Sequence, residues 1–538
     1  MISSFASILA AGAVVLLSVL WMSRTYSSLQ NRLPPGPRGL PLLGNLLQIP
    51  RKHLATYFRR LCEQHCEYPA MDSTPLLTLQ KPIILIGNIE LARAILDKRS
   101  AKFSARFAPP LYRYVDPAQV YWAFVSGKTN FIGRKLTAGV MNGVRAGETD
   151  LVLQLETLIY MTQLLEDRGA KWFHGVDRST ASTVLTVVFG LHCPTGEEPE
   201  LKEVISSLHE LLSLLVPSAS IINALPFLDM IPGPMPWRVR ATAFRKREDA
   251  IYQKLVNEAV SGRAAGMNTW AAAFASEDKP EGDQRQLLNI FSNAAIETTA
   301  SSIKTFVLAC MLFPEWIPRA QAELDAVVGF DRLPTLKDRP FLPFLDAVVR
   351  ETLRWRPAGR LGVPHQSTAD DVVRYKGEEY YIPKGSLVFA VTWAIEHDRS
   401  KFANPDMFRP ERFLDEEGQL KSQYDTSAFG FGRRGCPGSP FAERSMWITI
   451  AMMLWTFNIR KSDKPDPKTG LPFNYTADNS AFSGELTTEP FEFPAVFEPR
   501  SMHHEQVVTQ EWMGCEKDLN VLLPQHKIRS IYLSPLHN

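Results

Sequence analysis

Phe429-Gly430-Phe431-Gly432-Arg433-Arg434-Gly435-Cys436-Pro437-Gly438 is the stretch on which the reading of this chain turns. Glycine stands at four of its ten positions. Glycine admits backbone angles closed to other residues and lets a flat ligand come close to the main chain. An apolar helical pattern follows at about Phe441–Phe457. Cys436 therefore sits just ahead of a helix start, where free N–H groups and the helix dipole favour an anion. A thiolate so placed suits a soft metal. Arg434, two residues earlier, can reach an anionic group on the same ligand. A buried, inert cysteine in a tight turn satisfies the same spacing.

Four groupings lie upstream. Phe408-Arg409-Pro410-Glu411-Arg412-Phe413 comes first on the way back. Glu351 and Arg354 lie three apart in the predicted helix Phe344–Trp355, so they share a face. An exposed pair of that kind is worth under about 1 kcal/mol. Between them and the loop, Val363-Pro364-His365 offers a lone histidine, which by itself is more often a satisfied polar residue than a ligand. Further back, Ala294-Ala295-Ile296-Glu297-Thr298-Thr299 falls inside the long predicted helix Leu287–Leu312. A threonine there can donate to the carbonyl one turn earlier and open a local groove.

Helical periodicity dominates the rest. It predicts helices at Glu90–Leu96, Leu151–Glu166, Ser179–Phe189, Leu201–Leu215, Ala241–Ser261 and Ile317–Val328. Short β-type runs come early, at Leu76–Leu79 and Ile83–Ile86. Others come late, near Val372–Tyr375, Tyr380–Ile382 and Leu387–Val391. The expected body is mainly α with a small β-sheet region, in one domain over 41–500, followed by a tail over 501–538. The apolar segment Leu211–Trp237, broken by Pro217, Pro226, Pro232, Pro234 and Pro236, is too interrupted to span a bilayer. It reads as a surface loop that dips into lipid or lines a substrate entrance, or as a buried connection.

Residues 2–22 carry no charge. As a helix they would reach roughly 31 Å, about the hydrocarbon thickness of a bilayer, so a single transmembrane anchor is expected. No cation precedes the run and no small-residue cleavage pattern follows it, which argues against a signal peptide. Arg24, Arg32, Arg38, Arg51 and Lys52 follow it, placing the body on the cytosolic side. Residues 23–40 form a stiff hinge built on Leu33-Pro34-Pro35-Gly36-Pro37. The 59 basic and 57 acidic residues nearly cancel, with no basic stripe for nucleic acid. Six scattered cysteines are no disulfide framework. Cys62, His65 and Cys66 could be metal ligands, although two cysteines one helical turn apart read more simply.

The pattern Phe-x-x-Gly-x-Arg-x-Cys-x-Gly, matched at Phe429, Gly432, Arg434, Cys436 and Gly438, resembles the haem-binding loop of the cytochrome P-450 family. The likeness runs from about Leu33 to Arg500 and takes in Lys98-Arg99-Ser100 before Phe103-Ser104. Its details are most similar to fungal microsomal members that oxidise secondary metabolites. It implies the family fold and a haem b cofactor. Cys436 would be the axial thiolate, in the loop that begins at Phe429. Arg434, His365 and Arg134 would be partners of the haem propionates. Glu351, Arg354 and Arg412 would form a buried ion network behind the loop. Thr298, assisted by Glu297, would relay protons where oxygen is activated, while the thiolate supplies electron density.

The implied activity is insertion of one oxygen atom from O2 into a hydrophobic small molecule. Segments 107–125, 211–231, 292–298, 359–363 and 480–483 would line the pocket, and their apolar content suggests a terpenoid or polyketide. NADPH-cytochrome P-450 reductase would be the electron donor, with cytochrome b5 as an optional second one. The endoplasmic reticulum membrane would be the location. A reductase-independent enzyme that rearranges peroxides is one rival, which Thr298 argues against. A non-catalytic haem-binding membrane protein is another. It rests on two departures: the family usually has glycine at Ala295, and tryptophan at Asn130, four residues before Arg134. The tail extends beyond where most members stop.

Overall fold

Leu288–Leu312 is apolar on nearly every side, and such a helix has to be interior. In the computed structural model it is the axis of the molecule. It packs on Trp172–Phe189 along one side and on the helix after the cysteine loop, Ser439–Thr456, along another. Among the described residues it is the one helix long and apolar enough to cross a membrane, but 78% of its most apolar window is buried in protein. The structure describes residues 33–524 apart from 38, 41–43, 51, 65–69, 73–81, 142, 217–218, 276–286, 376, 423–425, 467–468 and 484–485. The expected anchor at 2–22, most of the hinge, the strand at Leu76–Leu79, and His65 and Cys66 fall outside these residues. Cys62 is buried in the helix Leu54–Gln64.

Around the axis lie Gly143–Asp167, Pro199–Leu215, Pro236–Val260, Ile317–Val327 and Pro343–Trp355. The sheet is small, as expected. Its five strands are β1 (Ala70–Asp72), β2 (Pro82–Ile86), β3 (Ala105–Arg106), β4 (His365–Gln366) and β7 (Leu387–Ala390), in the order β1-β2-β7-β4-β3. β2 and β7 pair in parallel, Ile84 opposite Val388, and both residues are fully buried, as a covered parallel pair requires. Among the described residues two antiparallel pairs complete the strands: the hairpin of β5 (Asp371–Tyr375) with β6 (Glu378–Ile382), and β8 (Phe457–Lys461) with β9 (Ala495–Pro499).

Some expectations shift. The helix at Glu90–Leu96 is two pieces, an α-turn at Ile89–Ala92 and a π-turn at Arg93–Asp97. The helix Lys128–Met141 is additional, because its mixed Thr, Asn, Gly and Lys content gives little apolar periodicity. The segment after Arg500 is not detached from the body. Ser501 caps a further helix, Met502–Gly514, whose Val507, Val508 and His504 are buried. His504 meets Trp455 edge to face, ring centroids 4.5 Å apart, and the Leu523 carbonyl accepts from the Asn268 N–H at 3.0 Å.

The region Leu211–Trp237 breaks into short turns, Ile221–Ala224 and Pro226–Met230. Ile221, Phe227, Met230 and Ile231 are exposed there. Asp229 ties these turns to the segment 111–115. It accepts from the Tyr114 hydroxyl at 2.9 Å and pairs with Arg113 at 3.0 Å and with Arg238.

Candidate active site

The cysteine loop is folded onto itself by main-chain bonds. The Cys436 N–H donates to Phe429 O at 2.6 Å, and the Gly435 N–H to Gly432 O at 3.0 Å. Gly432 has φ +55°, and a Cβ there would lie 2.2 Å from the Leu96 carbonyl oxygen. Only glycine lets the loop seat on the π-turn. The helix Ser439–Thr456 starts three residues after Cys436, so the N–H groups of Gly438 and Ser439 reach the sulfur. Burial raises the thiol's pKa, while those N–H groups and the nearby Arg134 pull the other way. The sulfur opens to space on one side and is enclosed by the fold on the others. Phe429, Gly430 and Thr426 share an open cavity of about 320 Å³ with Cys436, also lined by Arg93 and Asp97 of the π-turn.

Three guanidinium groups gather beside this loop. Arg434 donates to Ser104 O at 2.7 Å, Val125 O at 2.8 Å and Ser126 Oγ at 3.0 Å, yet its Nη1 is buried without a partner. Arg134 donates to Gly435 O at 2.9 Å. Arg106 was not singled out by the sequence. It donates to the Val363 and Pro364 carbonyls at 2.7 and 2.9 Å, and its Nε is also buried and unpartnered. Among the described residues none of the three pairs with a carboxylate. Burial, then the charges of Arg434 and Arg134, push Arg106 down to about 9, and burial and Arg134 push Arg434 to about 10. His365 feels the charges of Arg106 and Arg434. Its pKa falls to about 3 through burial and then Arg106, and its Nδ1 donates to Phe103 O at 2.7 Å, so in the neutral ring Nε2 is an acceptor. Cations so crowded, with unused donors, are built for an anion.

On the central helix the Thr298 hydroxyl donates to the Ala294 carbonyl at 2.8 Å. Both residues are exposed while Ile296, Thr299 and Ala300 on the other faces are buried. Glu297 is half-buried beside them. Lower on the same helix, the Ser301 hydroxyl donates to Thr488 O at 2.7 Å, and buried Lys304 binds Glu489 at 2.9 Å and Asp177 at 2.7 Å. These bonds moor the segment after Ser483. Asn130 uses its amide to hold the Trp122 carbonyl at 2.7 Å, and the Trp122 ring packs over Gly133 of the same helix.

Behind the loop, Glu351 and Arg354 are fully buried and paired through both carboxylate oxygens, at 2.6 and 2.9 Å. Arg412 reaches the same carboxylate at 3.1 Å, and the Arg409 N–H at 2.7 Å. Arg433 and Lys421 are exposed, and Lys421 donates to the Arg412 carbonyl at 2.9 Å.

The family model for cytochrome P-450 matches residues 34–477. The chain belongs to the cytochrome P-450 family. It is therefore a monooxygenase of the haem-thiolate type, with haem b as cofactor. Similar proteins include cytochrome P-450 monooxygenase 58 of Postia placenta, 32% identical over 86% of this chain and 88% of that one. The cytochrome P-450 monooxygenase aneD of Aspergillus aculeatus is 30% identical over 97% and 98%. The peniB monooxygenase of Penicillium patulum is 31% identical over 95% and 93%. With 97% of the chain aligned to aneD, part of the segment after Arg500 has a counterpart in that relative. The residues present fit the P-450 cofactor: a soft sulfur ligand framed by N–H groups, and an uncompensated cationic cluster with free donors for the two propionates.

Proposed function

We propose that this P-450 uses Cys436 as the iron's thiolate ligand, and Arg106, Arg134 and Arg434 to hold the propionates, with His365 joining them once a propionate's charge protonates its Nε2. The observation that carries this reading is the carboxylate-free cluster of Arg106, Arg134 and Arg434 beside the cysteine loop. When bound, haem supplies the iron that binds and activates O2. The chain's own residues do the rest. The Gly438 and Ser439 N–H groups and Arg134 stabilise negative charge on the sulfur. Thr298, with its proton committed to Ala294 O, presents lone pairs to the open face. It orders the water through which Glu297 delivers protons. The net reaction takes one substrate C–H, O2, two electrons and two protons to an alcohol and water.

The electrons come from NADPH-cytochrome P-450 reductase, docking against exposed Arg433 and Lys421, with cytochrome b5 as an alternative donor. The substrate is an apolar secondary metabolite, a terpenoid or polyketide. The protein sits on the endoplasmic reticulum membrane with its body in the cytosol. Residues 2–22 supply the anchor, and the exposed Phe227, Met230 and Ile231 give a second apolar contact. The decisive test is the dithionite-reduced carbon monoxide spectrum of the haem-loaded protein. A strongly red-shifted Soret band, lost in Cys436→Ser, is the expected result. A haem-loaded wild type without that band overturns the assignment.

A further inference from the structure

Glu396 follows the short helix Thr392–Ile395 and is 1% exposed. Neither the haem loop nor the Glu-x-x-Arg pair includes it. Its two polar ends nevertheless reach into both. The backbone carbonyl accepts from Arg354 Nη1 at 2.8 Å. The side-chain Oε1 accepts three bonds: from the Ser427 N–H at 2.5 Å, the Ser427 hydroxyl at 2.8 Å and the Thr426 hydroxyl at 3.2 Å. Those two residues open the cysteine loop. Ser427 O accepts from the Gly430 N–H at 3.0 Å, and Phe429 O from the Cys436 N–H at 2.6 Å. A continuous path of bonds thus runs from Glu351 through Arg354, Glu396 and Ser427 to the loop.

A buried carboxyl is costly, and an apolar side chain would fill the same volume at less expense. Here the cost is visible: burial pushes the Glu396 carboxyl up to about 7, and its Oε2 atom is buried with no partner. Every bond made is concentrated on the one oxygen that faces the loop. We propose that Glu396 is the positioning residue through which the Glu351–Arg354–Arg412 network sets the cysteine loop. Arg354 fixes its backbone, and its Oε1 atom holds the Thr426-Ser427 end from which the loop hangs. The role belongs to the acceptor oxygen, so glutamine can fill it and leucine cannot.

This rests on Cys436 being the iron's ligand, and Cys436→Ser is run alongside for that reason. The haem-loaded full-length protein is reduced with dithionite under carbon monoxide. Conversion of the red-shifted Soret band to the shorter-wavelength band of non-thiolate haem is followed over time at fixed temperature. Losing three bonds to one acceptor should make Glu396→Leu convert about tenfold faster than wild type. Glu396→Gln should stay within about twofold of it. Should Glu396→Leu not fold, Thr426→Val with Ser427→Ala removes both hydroxyl donors while keeping Glu396, and should accelerate conversion in the same direction. A purely structural acid would lower the melting temperature and leave the rate of band conversion at the wild-type value. That result overturns the proposal, and so does Glu396→Gln converting as fast as Glu396→Leu. A wild type with no red-shifted band at all fails the Cys436 assignment instead.

Discussion

Replacing Glu351 by glutamine keeps the shape of the buried network and removes the carboxylate that Arg354 and Arg412 share. Four donors converge on Glu351: Arg354 Nε and Nη2, Arg412 Nε and the Arg409 N–H. A glutamine oxygen in the Oε1 place keeps three of them without the negative charge, and its amide would turn N–H groups toward Arg354 Nε on a guanidinium that is itself fully buried. Stranding one partner of a buried pair costs about 3–5 kcal/mol. Arg354 retains the carbonyls of Glu396 and Pro405, each at 2.8 Å, which places the cost near the lower end, about 3 kcal/mol. With a urea dependence of about 3 kcal/mol per molar, the midpoint for loss of the Soret band should fall by about 1 M. Replacing Glu351, Arg354 and Arg412 together by leucine leaves no stranded charge and should recover part of that loss. The assay is urea titration of the haem-loaded protein, followed by absorbance. A Glu351→Gln midpoint within about 0.2 M of wild type would refute the claim that this carboxylate holds the region together.

Removing one cation from the propionate cluster should loosen haem: Arg106→Met is expected to transfer haem to apomyoglobin about tenfold faster than wild type, and an unchanged rate would take Arg106 out of the site. The pH dependence of Glu396 has a definite sign. In the folded protein its carboxyl keeps a proton up to about 7, whereas an ordinary glutamate loses it near 4.5. Folding therefore takes up a proton in that window, and this site's contribution to stability falls as pH rises through it. Glu396→Gln cannot ionise, so its stability relative to wild type should rise between those pH values by up to about 3 kcal/mol and then level off, as urea titrations at several pH values would show. The exposed turn can be tested in protein that lacks residues 1–32. Protein starting at residue 33 should still float with anionic vesicles, and Phe227→Ser, Met230→Ser and Ile231→Ser together should abolish flotation. Equal flotation of both proteins would count against lipid contact at this turn.

What the sequence made legible was local. The cysteine loop is contiguous, its glycines answer to specific backbone needs, and Gly432 against Leu96 shows one of them. Glu351 and Arg354 were legible because a helix puts positions three apart on one face. Arg106, Lys304, Glu489 and Glu396 left no such trace. Each acts on a partner brought close only by the fold, such as Glu396 on Ser427, 31 positions on. A charged residue at an isolated position reads as solvated until its burial is known, and burial of a charge has no periodicity to betray it. The helix Lys128–Met141 is faint in the sequence for a related reason, and it gives Asn130 a structural partner. The family's tryptophan is absent there, but the Asn130 amide fixes the Trp122 carbonyl while the Trp122 ring covers Gly133. On the same helix Arg134 still reaches the Gly435 carbonyl. Asn130 thus orients the segment that also supplies Val125 and Ser126 to Arg434. With asparagine in place of the family's tryptophan, the cationic cluster still keeps its three guanidinium groups.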